Sequence, residues 1–131
     1  MKITRFEELN IWKLSLAITK EIYDLTSKKD FSRDFGLRDQ LRRATVSISS
    51  NIVEGFEKNN NNEFIRFLKI AKGSAGESRN QLHIALAVRY ITEQEFEKNN
   101  NDLECLAQQV GAFIAYLEKQ RNQKQFIQKT R

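Results

Sequence analysis

The chain has 131 residues, with 22 Lys+Arg against 17 Asp+Glu and a formal net charge of +5. That is one domain's length, enough to bury roughly two-thirds of the surface the unfolded chain exposes. A lone cysteine excludes an intramolecular disulfide framework and any multi-Cys zinc site, and a lone histidine excludes His-rich metal clusters. With no proline there are no polyproline segments and no proline kinks, and no run of 18 apolar residues offers a membrane span. The N-terminal MKITRFEELNIWK carries acids where a signal peptide has an apolar core, so a reducing cytoplasm is the expected compartment.

Hydrophobic periodicity predicts four helices. The first is expected from Glu7 to Ser27. Leu9, Trp12, Leu16 and Tyr23 recur at helical steps, and Ile11, Leu14, Ile18, Ile22 and Leu25 form a second series on nearly the opposite side. One stripe serves the chain's own core, so the second series is assigned to a contact with another subunit. Lys28 to Asp34 breaks the pattern and reads as a loop.

The second helix is expected from Phe35 to Glu57, with Leu37, Leu41, Ala44, Ile48 and Ile52 as its core face. The asparagine run 59–62 reads as a turn, with Asn62 and Glu63 opening the third helix, expected to reach Tyr90. Phe64, Phe67, Leu68, Ala71, Ala75, Ser78, Leu82, Ala85 and Leu86 line one face of that helix. Its middle holds Gly73 and Gly76, each costing about 1 kcal/mol relative to Ala, a cost that close approach of a neighbouring helix would offset. Thr92 and Glu95 have capping-box spacing. Asn99–Asn101 is expected to interrupt the fourth helix, whose main body then begins near Asp102. Its core face is Leu103, Leu106, Ala107, Val110, Ile114 and Leu117. No segment alternates with period two long enough to be a strand. The expected fold is all-α: an antiparallel up-down four-helix bundle over residues 1–118, with residues 119–131 as a flexible basic tail.

Candidates for chemistry are few. His83 has no orienting acid or nucleophile beside it in sequence, and Cys105 reads as a small buried hydrophobe. Glu54 and Glu77 lie beside core faces, but the paired Glu-x-x-His motifs of di-iron bundles are missing, so no metal, cofactor or enzymatic role is assigned. Instead Arg43, Ser47, Asn51, Glu54, Ser74 and Glu77 are read as a polar seam between the second and third helices that fixes their register.

Charge is unevenly spread. Residues 93–118 hold one Lys and six acids, whereas residues 119–131 hold five bases and no acid. Arg66, Lys69, Lys72 and Arg79 lie on one arc of the third helix. With Lys119, Arg121, Lys124, Lys129 and Arg131 they form a candidate surface for a nucleic-acid phosphate backbone. Neither an RNA-recognition aromatic motif nor helix-turn-helix spacing accompanies them, so sequence-specific readout is not expected.

Four stretches carry a family resemblance: FEELNIWK (6–13), FGLRDQLRRA (35–44), VSISSNIVEG (46–55) and FIRFLKIAKGSAGE (64–77). In that order and spacing the chain resembles the bacterial four-helix-bundle proteins encoded in intervening sequences of 23S rRNA genes, the S23 family. The resemblance spans roughly residues 6–118. It implies a ring-like homopentamer. It also implies kinship with the accessory variability protein of diversity-generating retroelements, which binds nucleic acid and a reverse transcriptase. The family's recurrent residues fall on Arg42, Arg43, Ser47, Asn51, Glu54, Gly55, Ser74 and Glu77, all read here as structural. The chain departs from the pattern in two places. Phe31-Ser32 stands where relatives carry Phe-Pro, and the fourth helix is acidic where the accessory protein is broadly basic. The expected function is therefore a non-enzymatic, self-associating bundle that touches RNA or DNA through phosphates. The alternative is a protein-binding scaffold, such as a reverse-transcriptase accessory subunit.

Overall fold

The computed structural model describes residues 2–122. A 3-10 turn over Phe6–Glu8 leads into α1 (Asn10–Thr26), followed by α2 (Lys29–Arg33), α3 (Phe35–Glu57), α4 (Asn61–Ala87) and α5 (Glu93–Asn122). Cross-helix pairs fix the directions. Thr19 of α1 meets Thr45 of α3, and Thr26 meets Arg42, so numbers rise on one helix as they fall on the other. Ser47 meets Ser74 while Gly55 meets Phe64 and Phe67, which makes α3 and α4 antiparallel. Arg79 bonds Asn100, and Lys72 lies over Gly111, which does the same for α4 and α5. Lys28–Glu95 and Lys98–Glu21 close the circle between α1 and α5. The result is an up-down bundle in cyclic order α1, α3, α4, α5.

Its core is a column of fully buried side chains that includes Ile22, Leu41, Ile52, Phe64, Leu68, Leu82, Leu103 and Leu117. Each contributes on the order of 1.5–3 kcal/mol of apolar burial. The helix ends are capped as their sequences demand. Asp34 accepts the Leu37 N–H at 3.1 Å, and Asn60 accepts the Glu63 N–H at 3.0 Å. The expected capping box of α5 forms, with Thr92 N–H on Glu95 Oε1 at 2.9 Å and Glu95 N–H on Thr92 Oγ1 at 3.1 Å. Asn59 turns the chain between α3 and α4 at φ 54°, a left-handed conformation that asparagine tolerates.

Four expectations need correction. Lys28–Asp34 is not a plain loop. It contains α2, because Phe31 is wholly buried and stacks on Tyr90 at 5.3 Å, while Tyr90 donates to the Asp34 carboxylate at 2.9 Å. The second correction concerns α1. Ile11, Ile18, Ile22 and Leu25 are 6% exposed or less, and Leu14 packs against the same core, so the series assigned to a partner belongs to the chain's own interior. The other series splits. Leu9 is buried, and Trp12 is half-buried with its ring 5.3 Å from that of Phe6 in the 3-10 turn, whereas Leu16 and Tyr23 face outward at 52% and 41% exposure. Third, α5 runs unbroken through Asn99–Asn101. Asn99 donates to the Glu95 carbonyl at 2.8 Å, and Asn100 bonds both Arg79 and Glu104, so these amides serve the helix instead of competing with its backbone. Fourth, α5 continues to Asn122, so the bundle does not end at residue 118. The rest of the expected tail, with Lys124, Lys129 and Arg131, lies outside the described residues.

Candidate nucleic-acid interface

The bundle's directions bring the N-terminus of α4 and the C-terminus of α5 to the same end. Arg66 and Lys69 therefore lie toward that end, with Lys119 and with Arg121, which is in the last turn of α5, while Lys72 sits nearer the middle of α4, over Gly111. Residues 123–131, with three bases and no acid, attach there as well. Lys58, in the turn between α3 and α4, joins them. Its ammonium sits 5.8 Å from the centre of the Phe67 ring, and the Arg66 guanidinium sits 4.4 Å from it. At the opposite end Glu93, Glu95 and Glu97 open α5 near Glu21 and Asp24 of α1, with Lys28 and Lys98 among them.

The four cations of the α4 arc are not equivalent. Arg66 is held by Glu63 through two hydrogen bonds of 3.0 and 3.2 Å, which also hold the Glu63 carboxyl below its ordinary range. Arg79 turns toward α5, donating to Asn100 at 2.9 Å and lying 3.6 Å from the Glu104 carboxylate. Lys69 and Lys72 are exposed and form no ion pair among the described residues. So the arc divides into two occupied arginines and two open lysines. Arg42 is committed elsewhere, to the end of α1, bonding Thr26 and Ser27 with its guanidinium 4.5 Å from the centre of the Tyr23 ring.

The residues read as a polar seam separate into two groups. Ser47 and Ser74 share a hydrogen bond of 2.9 Å, and Asn51 donates to the Ser47 carbonyl and hydroxyl at 2.8 and 3.0 Å. Arg43, Glu54 and Glu77, however, are exposed and make no ion pair or hydrogen bond among the described residues. Arg43, Ser47, Glu77 and Gln81 line a shallow hollow of about 260 Å³ between α3 and α4. Gln81 is 5% exposed, and its Oε1 has no hydrogen-bond partner among the described residues. The seam is therefore a serine–asparagine strip with charged residues displayed on its outer edge.

The glycines also differ from expectation. A Cβ at Gly73 or Gly76 would meet nothing within 4 Å among the described residues, so none of the described helices approaches them closely. The close approach is at Gly55, where a Cβ would lie 2.7 Å from Phe67 Cβ and 3.0 Å from Phe64 Cδ1. Cys105 is exposed and accepts a weak bond from Gln109, instead of filling the core. The His83 ring is likewise exposed and lies 4.6 Å from that of Phe96. Among the described residues no cluster of three or more His, Cys, Asp or Glu is placed to hold a metal, and no helix is long and apolar enough to cross a membrane.

Sequence reasoning missed Lys58, because only the folded turn brings it to Phe67. It also overlooked the outward residues Val46, Ile70, Ile84 and Val88, which are 38–50% exposed. They follow no strict stripe.

Residues 7–112 match the family described as 23S rRNA-intervening sequence protein. The chain belongs to that family. Among solved structures it is similar to a protein of unknown function from the S23 ribosomal protein family of Bacteroides thetaiotaomicron. The two are 26% identical, with a TM-score of 0.73 over 79% of this chain and 97% of the other. No curated protein matches. The family assignment places Arg43, Ser47, Asn51, Glu54, Ser74 and Glu77 inside the matched region, and leaves Lys119 and the residues after it outside.

Proposed function

We propose that the protein is a non-enzymatic, cytoplasmic bundle that self-associates and holds the phosphate backbone of RNA or DNA at its basic end. One observation carries this reading: Lys69 and Lys72 are exposed on α4 without acidic partners among the described residues, about two and three turns of helix from the end of the molecule where the acid-free segment 123–131 attaches. Phosphates would complete these side chains by replacing condensed counterions, a contact that needs no base reading. Titrating the purified protein against a labelled structured RNA and a duplex DNA at several salt concentrations tests it. Binding should weaken steeply with salt. Replacing Lys69 and Lys72 by Gln should lower the log–log slope by about 1.4–1.8, the counterions released at two phosphates. No binding at low salt, or a slope unchanged in the variant, would remove the lysines from the interface.

Self-association has its own support. Tyr23 of α1 and Val46 of α3 face outward around a hollow shared with Arg43, and Leu16, Ile70, Glu54 and Glu77 are also exposed on α1, α3 and α4. A neighbouring subunit would cover the apolar groups and pair the charges. The resemblance implies a ring of five such subunits. Leu16→Asp with Val46→Asp should lower the mass seen by light scattering, and an unchanged mass would move the contact to another face. If nucleic acid fails to bind, the same surface favours the scaffold reading, with a protein such as a reverse transcriptase as partner.

A further inference from the structure

The outward surface of α4 has an order of its own. At about 100° per residue, Ile70, Gly73, Glu77, Ile84 and Val88 fall within an arc of roughly 60°, on the side where Glu77 lines the hollow shared with α3. All of them are exposed. Glycine and charge break the apolar run, yet Ile70, Glu77 and Ile84 follow at seven-residue steps, the repeat along which two helices stay in contact. A Cβ at Gly73 would meet nothing within 4 Å among the described residues. On the neighbouring side of α3, Tyr23, Arg43 and Val46 line the groove between α1 and α3. Leu16, seven residues before Tyr23, faces outward on the same side of α1. Glu77 is the charge at the centre of the α4 ridge, and Arg43 is the open charge of the groove. Neither has an ion pair among the described residues, and Asp39, beside Arg43, is held by Arg38 at 2.9 Å.

We infer that these are the two halves of one contact: the α4 ridge of one copy lies in the α1–α3 groove of the next. The inference rests on the self-association proposed above and adds the surface that the groove receives. Charge and shape select a second copy as the occupant. Within one chain Arg43 and Glu77 border the same hollow without pairing. Across the contact Glu77 of the ridge meets Arg43 of the groove, with apolar side chains on both sides of the pair. Gly73 lets the backbone of the ridge come close against Leu16, Tyr23 and Val46, a use for a glycine that the chain's own described helices leave open. Ridge and groove are different surfaces, so a pair of copies leaves one of each unfilled, and the contact repeats from copy to copy, as a ring requires. Lys69 and Lys72 are turned from the centre of the ridge toward α5, by about 75° and 135°, and stay open to phosphate in the assembly.

Light scattering on the full chain, without nucleic acid, tests this by complementation. The groove variant is Leu16→Asp with Val46→Asp, and the ridge variant is Ile70→Asp with Ile84→Asp. All of these positions are exposed, so the fold should survive, which helix content by circular dichroism checks. Each variant alone should be a monomer of 15.4 kDa. An equimolar mixture should form a pair of twice that mass and nothing larger, because only one intact groove and one intact ridge can meet. Charge reversal gives a second readout: Arg43→Glu and Glu77→Arg should each lower the mass of the assembly, and the two together in one chain should restore it. A ridge variant with the mass of the wild type would overturn the inference, since groove would then pair with groove. A mixture that stays monomeric would overturn it too, because both variants would then damage one and the same surface. A wild type that is monomeric at every concentration defeats self-association itself, and that result needs no variant to be seen.

Discussion

Two seams of the same bundle are built on different principles. Between α3 and α4 the lower part of the contact is dry and close. Gly55 lets the α3 backbone rest on Phe64 and Phe67, and the rings of Phe56 and Phe64 meet edge to face at 5.9 Å. Between α1 and α5 the upper contact is open and wet. A hollow of about 560 Å³ is lined by Glu21, Asp24, Lys28, Glu95 and Lys98, and ion pairs bridge it. Close packing resists any change of volume, whereas a solvent-filled groove bridged by long side chains yields at little cost. The first seam should therefore dominate stability and the second should respond to conditions.

The largest effect is expected at Gly55. Ala there must displace Phe67 or separate the helices, because the clash is with a Cβ and not with the end of a flexible chain. Overpacking of this kind costs about 1–3 kcal/mol, more than the roughly 1 kcal/mol that Ala gains over Gly in helix propensity. Gly55→Ala should lower the denaturant midpoint with little change in m. The same substitution at Gly73 or Gly76, where nothing lies within 4 Å, should raise it, by up to about 1 kcal/mol each. If either Ala also lowers the mass of the assembly, a partner's backbone occupies that space. Equal effects at all three glycines would erase the distinction between buried and open positions.

Much of this bundle is legible in its sequence. The bounds expected for α3 are the bounds found, and the Thr92–Glu95 box forms, because both rest on local rules of periodicity and capping. What failed depends on the neighbours. The two apolar series on α1 look equivalent until α3 and α5 flank one of them and the 3-10 turn covers the start of the other. Gly73 and Gly55 are both helical glycines in sequence, and only the position of Phe67 separates them. Phe31 looks like a loop residue until Tyr90 is placed on it. At the candidate site the arc of four cations is visible as a periodicity. Its division into two paired arginines and two open lysines is not, because Glu104 and Asn100 reach Arg79 only through the fold.

The smallest expected effect sharpens the contrast by its dependence on pH. Burial raises the Glu95 pKa, but the 2.6 Å bond from Lys28 and the Thr92 N–H outweigh that, leaving it below its ordinary value of 4.5. A carboxylate whose pKa is lower in the folded state stabilises at neutral pH, and that stabilisation is lost as the pH falls through the folded value. Both partners are about one-third exposed, so the pair is worth no more than about 1 kcal/mol. Lys28→Met is the cleaner probe, since Glu95 also closes the capping box and its own replacement would disturb two interactions at once. Its deficit relative to wild type should be present at pH 7 and shrink as the pH falls below the ordinary carboxylate range and Glu95 is protonated. The Gly55→Ala deficit should stay constant over the same range, because Phe64 and Phe67 do not titrate. Thermal melts of both variants at pH 7 and pH 3.5 compare them directly. A Lys28→Met deficit that persists unchanged in acid would mean that Lys28 acts through something other than its attraction to the ionised Glu95 carboxylate. In that case the α1–α5 seam is closer in kind to the α3–α4 seam than its ion pairs suggest.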